Sequence, residues 1–158
     1  MSILLSGTDV IDLAVQLETQ GEAFYRQAGQ NTAAPEAAAL FAELAEEEAR
    51  HRETFQGLSS AIRVTEIDPT TWEEAAGYIE ATINREFFGP DAPILEAAAA
   101  GNDLPTLFRR AIAFEQQTLL FFYTLRDLVQ PANRHIIDRI IAEEKRHVFN
   151  LAARLDQL

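Results

Sequence analysis

Cysteine is absent from this 158-residue sequence, and its absence excludes several kinds of chemistry at once. Without thiolates the chain can form no disulfide, zinc ribbon, cysteine-ligated iron–sulfur centre or thiol nucleophile. Basic residues are also scarce, with 13 lysines and arginines against 25 aspartates and glutamates and a net charge of −12. This balance repels phosphate backbones, so we expect no nucleic-acid partner.

Long apolar runs are missing as well. No segment approaches the roughly 20 apolar residues of a membrane span. The first residues, MSILLSGTDV, lack the basic flank of a signal peptide. We therefore expect no membrane partner and a cytoplasmic location. The length and a hydrophobic content of 47% favour a single folded domain over residues 1–158.

The sequence predicts helix throughout, because alanine, leucine, glutamate, glutamine and arginine dominate and no alternating strand pattern occurs. Four long helices are predicted, at about 8–28, 36–62, 104–129 and 132–158. Short loops join them pairwise into antiparallel hairpins, and a long crossover with a predicted helix after Thr71 connects the hairpins. The predicted fold class is all-α: a four-helix bundle made of two hairpins and a partly helical crossover.

The two hairpins, at about 8–62 and 104–158, resemble each other. LETQGEAFY at 17–25 aligns with FEQQTLLFF at 114–122, and AEEEARH at 45–51 aligns with IAEEKRH at 141–147. In each hairpin a glutamate is followed about 30 residues later by a Glu-x-x-His motif. This pattern indicates an internal duplication, so residues that both copies share are expected to share a role.

Polar residues interrupt the apolar stripe of every predicted helix. Steps of three and four residues place six of them among core positions, namely Glu18, Glu48, His51, Glu115, Glu144 and His147. A buried carboxylate without compensation costs several kcal/mol, so positive charge is expected between the four glutamates. Two divalent cations would neutralise them, with the histidines as neutral ligands. We therefore predict that these six residues bind two metal ions.

The spacing of the motifs is consistent with metal binding. Residues i and i+3 lie about 5–6 Å apart at Cβ, so each Glu-x-x-His motif can reach one metal, while Glu18 and Glu115 would complete or bridge the pair. One glutamate from each of two helices and Glu-x-x-His from each of the other two is the ligand pattern of di-iron and di-manganese bundles. Oxygen-rich donors with one imidazole per metal favour iron or manganese over structural zinc.

The segments LETQGEAFY, LAEEEARHRETF, AFEQQTLLFFY and IAEEKRHVF resemble the metal-binding motifs of the rubrerythrin-like branch of the ferritin-like superfamily. The resemblance covers residues 10–62 and 104–158. It implies a ferritin-like bundle, the same six ligands and two iron ions as cofactor, with manganese or a mixed pair as the alternative. Two features differ from rubrerythrins. Residues 1–158 contain no cysteine with which to ligate the iron of a rubredoxin-type domain, and Thr118 stands where rubrerythrins have an extra glutamate.

Three functions are compatible with these features. The first, which we favour, is a di-iron oxidoreductase that reacts with dioxygen or hydrogen peroxide and takes electrons from an external donor. The second is an iron-binding, storage or ferroxidase module without peroxidase turnover. The third is a metal-free structural bundle whose buried glutamates hydrogen-bond to one another.

Several residues near the motifs have expected positions of their own. Tyr25 continues the stripe beyond Glu18 and is a candidate to hydrogen-bond a ligand. Gly21 and Thr118 occupy equivalent places in the duplication. Aromatic density around Phe121 and Tyr123 predicts an outer, partner-facing side and hence a homodimer.

Other polar residues are expected to lie at the surface. Glu46, Glu47 and Glu143 flank the motifs but leave the apolar stripe, so we expect them on a solvated face. The same holds for Glu22, one turn beyond the first ligand, and for His135, near the start of the last helix.

Overall fold

Four long helices form the described part of the chain in the computed structural model, which covers residues 7–58 and 103–158 together with residues 70, 73, 74 and 77. They are α1 (Gly7–Asn31), α2 (Pro35–Leu58), α3 (Leu104–Leu128) and α4 (Arg134–Leu155). Within these ranges there is no strand, which confirms the all-α prediction. No helix among them is apolar enough over a sufficient length to cross a membrane.

Short connections produce the two hairpins. Residues 32–34 join α1 to α2, and a 3-10 turn, Pro131–Asn133, precedes α4. The carboxylate of Asp103 caps α3, because it accepts hydrogen bonds from the backbone N (3.0 Å) and the hydroxyl (2.8 Å) of Thr106. Most of the helix predicted after Thr71 lies outside the described residues, although residues 70, 73, 74 and 77 are helical.

Two aromatic layers fill the core between the hairpins. The ring of Tyr25 stacks on Phe41, with centroids 6.1 Å apart, and Phe41 packs against Phe108 at 5.2 Å. Phe55 and Phe122 form the second layer, with centroids 5.1 Å apart. All five side chains are fully buried. Phe41 and Phe108 precede the core glutamates of their helices and the other two phenylalanines follow them, so the layers close the polar cluster from both ends.

Phe121 corrects the expectation of a two-residue aromatic outer face. It is fully buried and packs against Phe122 at 5.6 Å between centroids, whereas Tyr123 is exposed. Successive helical residues are rotated by about 100°, so residues two apart point to nearly opposite sides and only one of this pair can face outward. Lys145 Nζ lies 5.4 Å from the centroid of the Tyr123 ring. The homodimer stays a prediction.

Candidate metal centre

The structure brings all six predicted ligands together at the middle of the bundle. Each helix contributes to the cluster: Glu18 from α1, Glu48 and His51 from α2, Glu115 from α3, and Glu144 and His147 from α4. None of the six exposes more than 3% of its surface. They converge because the same three-four stepping that aligns the apolar residues aligns them on the inner faces.

The ligand atoms form two overlapping groups, in each of which the offered atoms lie within 4.8 Å of one another. The first ligand group is Glu18, Glu48, His51 and Glu144, and the second ligand group is Glu48, Glu115, Glu144 and His147. The glutamates of the two Glu-x-x-His motifs therefore belong to both groups. Of the two roles considered for Glu18 and Glu115, this geometry favours completing a group at either end over bridging.

Each histidine is oriented by a glutamate of the opposite hairpin. His51 Nε2 lies 2.8 Å from Glu143 Oε2, and His147 Nε2 lies 2.6 Å from Glu47 Oε2. The contact with His147 lowers the pKa of Glu47, so this carboxylate is ionised and can only accept, which places the proton on Nε2. The Nδ1 atoms then face the cluster, 2.8 Å and 2.9 Å from Glu144. Metal-binding histidines commonly donate their second N–H to a carboxylate in this way.

Glu47 and Glu143 therefore correct the expectation that all three flanking glutamates are solvated. Glu46 is exposed as predicted, but the side chains of the other two keep only 19% and 31% exposure. A sequence signal existed, because both residues immediately precede a ligand glutamate in the duplicated motif. They lie off the apolar stripe, yet a glutamate is long enough to reach the imidazole across the boundary between the hairpins.

His135 is exposed at the start of α4, as expected. Glu22 is less exposed than expected, because its side chain keeps only 14% exposure. It accepts a hydrogen bond from Arg26 Nε at 2.9 Å and pairs with Arg52.

Burial makes the glutamates resist ionisation. Loss of water raises the pKa of Glu18, Glu48 and Glu115 well above their ordinary values, and the charge of Glu144 raises each further. Burial acts on Glu144 in the same direction, but its contacts with the two histidines outweigh it and lower its pKa. Among the four buried glutamates of the metal-free chain, Glu144 therefore favours the ionised form and the other three favour the protonated form.

The histidines respond in the opposite sense. Burial disfavours their charged form, but the contact with Glu144 outweighs this and raises the pKa of His51 to about 9. The pKa of His147 is raised too, because Glu115 and Glu144 outweigh burial there. Protonated imidazoles therefore supply part of the positive charge that the sequence predicts for metal ions.

Unpaired atoms in the cluster fit a bound cation. Within the described residues, no hydrogen bond forms to either oxygen of Glu18, Glu48 or Glu144, to Glu115 Oε2, or to Nδ1 of either histidine. The Nδ1 atoms are close to Glu144 but lack hydrogen-bond geometry. Buried polar atoms are nearly always paired, and each one left unpaired costs about 1–3 kcal/mol. Cations held by these atoms would satisfy them, and carboxylate with imidazole donors suits iron or manganese.

The hydroxyl of Tyr25 donates a hydrogen bond to Glu115 Oε1. Burial raises the pKa of Tyr25 well above its ordinary value, and the charge of Glu115 raises it further, so the hydroxyl keeps its proton. The ring is held between Phe24, at 5.1 Å between centroids, and Phe41. Tyr25 is thus a rigid donor that positions one ligand from outside the cluster.

Gly21 leaves the space that Glu48 occupies. A Cβ built at this position would lie 2.6 Å from Glu48 Oε2 and 2.9 Å from the Phe114 ring. Glycine inside a helix costs about 1 kcal/mol relative to alanine, and the close approach of the carboxylate explains why it is present here. Its counterpart in the duplication, Thr118, is buried, and its hydroxyl donates a hydrogen bond to the Phe114 carbonyl at 3.1 Å. Threonine has no carboxylate, so this position adds no ligand of the kind that the extra glutamate would supply.

Replacing Glu47 or Glu143 by glutamine should weaken metal binding by about 10–100-fold, because an amide then takes the place of the carboxylate that orients the imidazole. Cobalt(II) titration of the metal-free variants measures this change. Glu46→Gln is the matched control, since this neighbouring glutamate is exposed. Equal affinities in all three variants would show that the outer hydrogen bonds do not support the centre.

Gly21→Ala should displace Glu48 and reduce the metal bound per chain, because its Cβ would overlap the carboxylate. Gly57→Ala is the control: a Cβ there meets nothing within 4 Å, so it should stabilise α2 by up to about 1 kcal/mol. Elemental analysis and thermal unfolding distinguish the two variants. The steric argument fails if Gly21→Ala binds metal like the wild type.

The metal-free protein should lose stability as pH rises from about 5 to about 9. A group whose pKa is raised by folding stabilises the fold fully below its unfolded pKa and loses that contribution as pH rises. The three glutamates with raised pKa lose their stabilising contribution above pH 4.5. His51 loses its contribution between pH 6.5 and about 9. Glu144, whose pKa is lowered, matters only in more acidic solution.

Thermal unfolding in the presence of a chelator, followed across this pH range, measures the effect. The metal-loaded protein is the control, because cations bind the deprotonated ligands and should remove or reverse the fall. A melting temperature that rises from pH 5 to 9 without metal would contradict the assigned protonation.

Comparison with known proteins places this geometry in a family. A model of the rubrerythrin family matches residues 9–155. A search of curated proteins gave no match. Among solved structures the chain is similar to a Thermotoga maritima protein, provisionally named a ferritin-like diiron-carboxylate protein, with 26% identity and a TM-score of 0.71 over 96% of this chain and 95% of that one. Taken with the buried cluster of four glutamates and two histidines, the match over nearly the whole chain shows that this protein belongs to the rubrerythrin family, with a ferritin-like four-helix fold.

Proposed function

We propose that the chain is a di-iron oxidoreductase that reacts with dioxygen or hydrogen peroxide and is re-reduced by an external electron donor. The observation that carries this proposal is the pair of ligand groups that share Glu48 and Glu144 in a dry interior. Two cations held by these groups would share ligands and would act together on one small oxidant. Membership of the rubrerythrin family supports iron, with manganese as the alternative.

The chain's own residues would hold and orient the two ions. Each ligand group offers one imidazole and three carboxylates, and Glu143 and Glu47 fix the imidazole planes through Nε2. When bound, two ferrous ions supply one electron each, the pair that reduction of hydrogen peroxide to two waters consumes. The protein contributes geometry and protection around that chemistry.

Side chains next to the ligand groups control water and protons. The layers of Tyr25, Phe41 and Phe108 on one side and Phe55 and Phe122 on the other exclude bulk solvent. Reduction of peroxide to water also takes up two protons. The hydroxyl of Tyr25 holds a proton directly against Glu115 Oε1, within the otherwise apolar wall.

Electrons would come from a separate donor. The 158 residues contain no cysteine and so cannot hold a thiolate-ligated iron of their own. We propose a cytoplasmic reductant, in keeping with the location expected from the sequence.

The test is to load the metal-free protein anaerobically with ferrous iron, add peroxide or air, and follow oxidation by stopped-flow absorption. We expect two irons per chain, rapid oxidation, and repeated consumption of peroxide when a reductant is supplied. A single oxidation followed by accumulation beyond two irons per chain would support the storage alternative. Absence of stoichiometric metal would overturn both and leave the metal-free bundle.

Histidine variants provide a matched control for this experiment. His51→Ala and His147→Ala each remove one imidazole and should lower the iron content and the oxidation rate. His135→Ala removes the third histidine, which is exposed, and should change neither. Equal iron content in the three variants would contradict the ligand assignment.

A further inference from the structure

Three of the four large hydrophobic side chains that are exposed in the described part of the chain lie on one side of the second hairpin. They are Leu120, which is 49% exposed, Tyr123, which is 42% exposed, and Phe149, which is 73% exposed. Leu120 and Tyr123 lie one turn apart on α3. Phe149 follows Lys145 by four residues on α4, and Lys145 Nζ lies over the Tyr123 ring, so Phe149 projects on the same side. The metal ligands are buried on the inner faces, so the metal centre does not account for this patch.

The outer face of α3 is also uncharged over most of its length, in a chain with a net charge of −12. Residues 111–125 include a single charged residue, Glu115, and it is buried. Six exposed residues form an outer seam along the helix, in steps of four and three: Arg109, Ala113, Gln116, Leu120, Tyr123 and Asp127. Steps of three and four residues are those with which one helix packs along another. The outer seam is about 27 Å long.

The internal duplication shows that the bundle itself does not require this apolar patch. The alignment of 17–25 with 114–122 pairs Leu120 with Ala23, and one turn further it pairs Tyr123 with Arg26. Both counterparts on α1 are exposed, but one is small and the other is charged. The two copies therefore share their buried ligands and differ on their outer faces. Large exposed apolar residues that only the second copy carries indicate a contact made by that hairpin alone.

The outer seam is complementary to itself. Positions 109 and 127, 113 and 123, and 116 and 120 lie equally far from residue 118. If a second α3 packs antiparallel about a two-fold axis at that level, Arg109 of each copy faces Asp127 of the other, and Ala113 faces Tyr123. Opposite charges then meet at both ends of the seam, and a small side chain meets a large one next to them. A parallel arrangement would place like charges together instead.

We propose that the outer seam is the interface of a homodimer, with α3 of one copy antiparallel to α3 of a second copy of this chain. Leu120 and Tyr123 are buried between the two copies, and Phe149 widens the interface from α4. Because the interface has two-fold symmetry, each contact occurs twice. The dimer is independent of the proposed oxidoreductase activity, since the outer seam contains none of the metal ligands.

Sedimentation velocity of the full-length chain as purified, over a range of protein concentrations, tests the proposal. The wild type should sediment as a dimer. Leu120→Glu buries a carboxylate twice at the centre of the seam and should raise the dimer dissociation constant at least about 100-fold. Ala23→Glu adds the same charge at the corresponding exposed position of α1 and is the matched control. It should leave the dissociation constant within about twofold.

Charge reversal tests the antiparallel pairing. Arg109→Asp and Asp127→Arg each bring like charges together at both ends of the seam and should weaken the dimer by about tenfold. The double variant restores opposite charges and should recover the wild-type dissociation constant to within about threefold. An arginine in the last turn of α3 is favoured by the helix dipole, so the helix should remain intact. Thermal unfolding of each variant checks this.

Three results would overturn the proposal. The first is a wild type that remains monomeric at every concentration. The second is a dimer that Leu120→Glu and Ala23→Glu affect equally, because its interface then lies elsewhere. The third is a double charge variant that dimerises no more tightly than the single variants. The iron content of the same variants should equal that of the wild type, so failure of the dimer and failure of the metal centre are measured separately.

Discussion

Four carboxylates enclosed between apolar helices are the constraint on which the rest of this structure depends. Burial and mutual repulsion raise the pKa of three of them, Glu18, Glu48 and Glu115, and a charged group in such a place is stable only with nearby compensation. The bundle provides it with two imidazoles, a tyrosine hydroxyl and atoms arranged for cations. The aromatic layers can close over so polar a centre only because this compensation exists.

The residues that compensate the buried carboxylates also join the two hairpins. His51 is held by Glu143 and His147 by Glu47, so each imidazole is fixed by the hairpin to which it does not belong. Glu48 and Glu144, one from each hairpin, serve both ligand groups. The contacts that shape the centre are therefore also contacts between the two hairpins.

The two copies of the duplicated hairpin differ at residues next to the ligands. Duplicated ligands alone would give two similar metal positions. In the alignment of the two copies, however, Tyr25 corresponds to Phe122 and Gly21 corresponds to Thr118. At the first position the Tyr25 hydroxyl donates a hydrogen bond to Glu115, and at the second Gly21 leaves space for Glu48.

The sequence by itself determined the helices, their pairing into hairpins and the six inward polar residues, because the helical period and the duplication both mark one face of each helix. Tertiary structure alone decided what those faces do to one another. Glu47 and Glu143 leave the stripe yet reach a histidine, Phe121 turns inward beside an exposed Tyr123, and Glu48 with Glu144 lies between the ligand groups. The helical periodicity of the sequence indicates the direction in which a side chain projects from its own helix. The reach of a long side chain and the rotation of the opposing helix appear only when the hairpins are packed together.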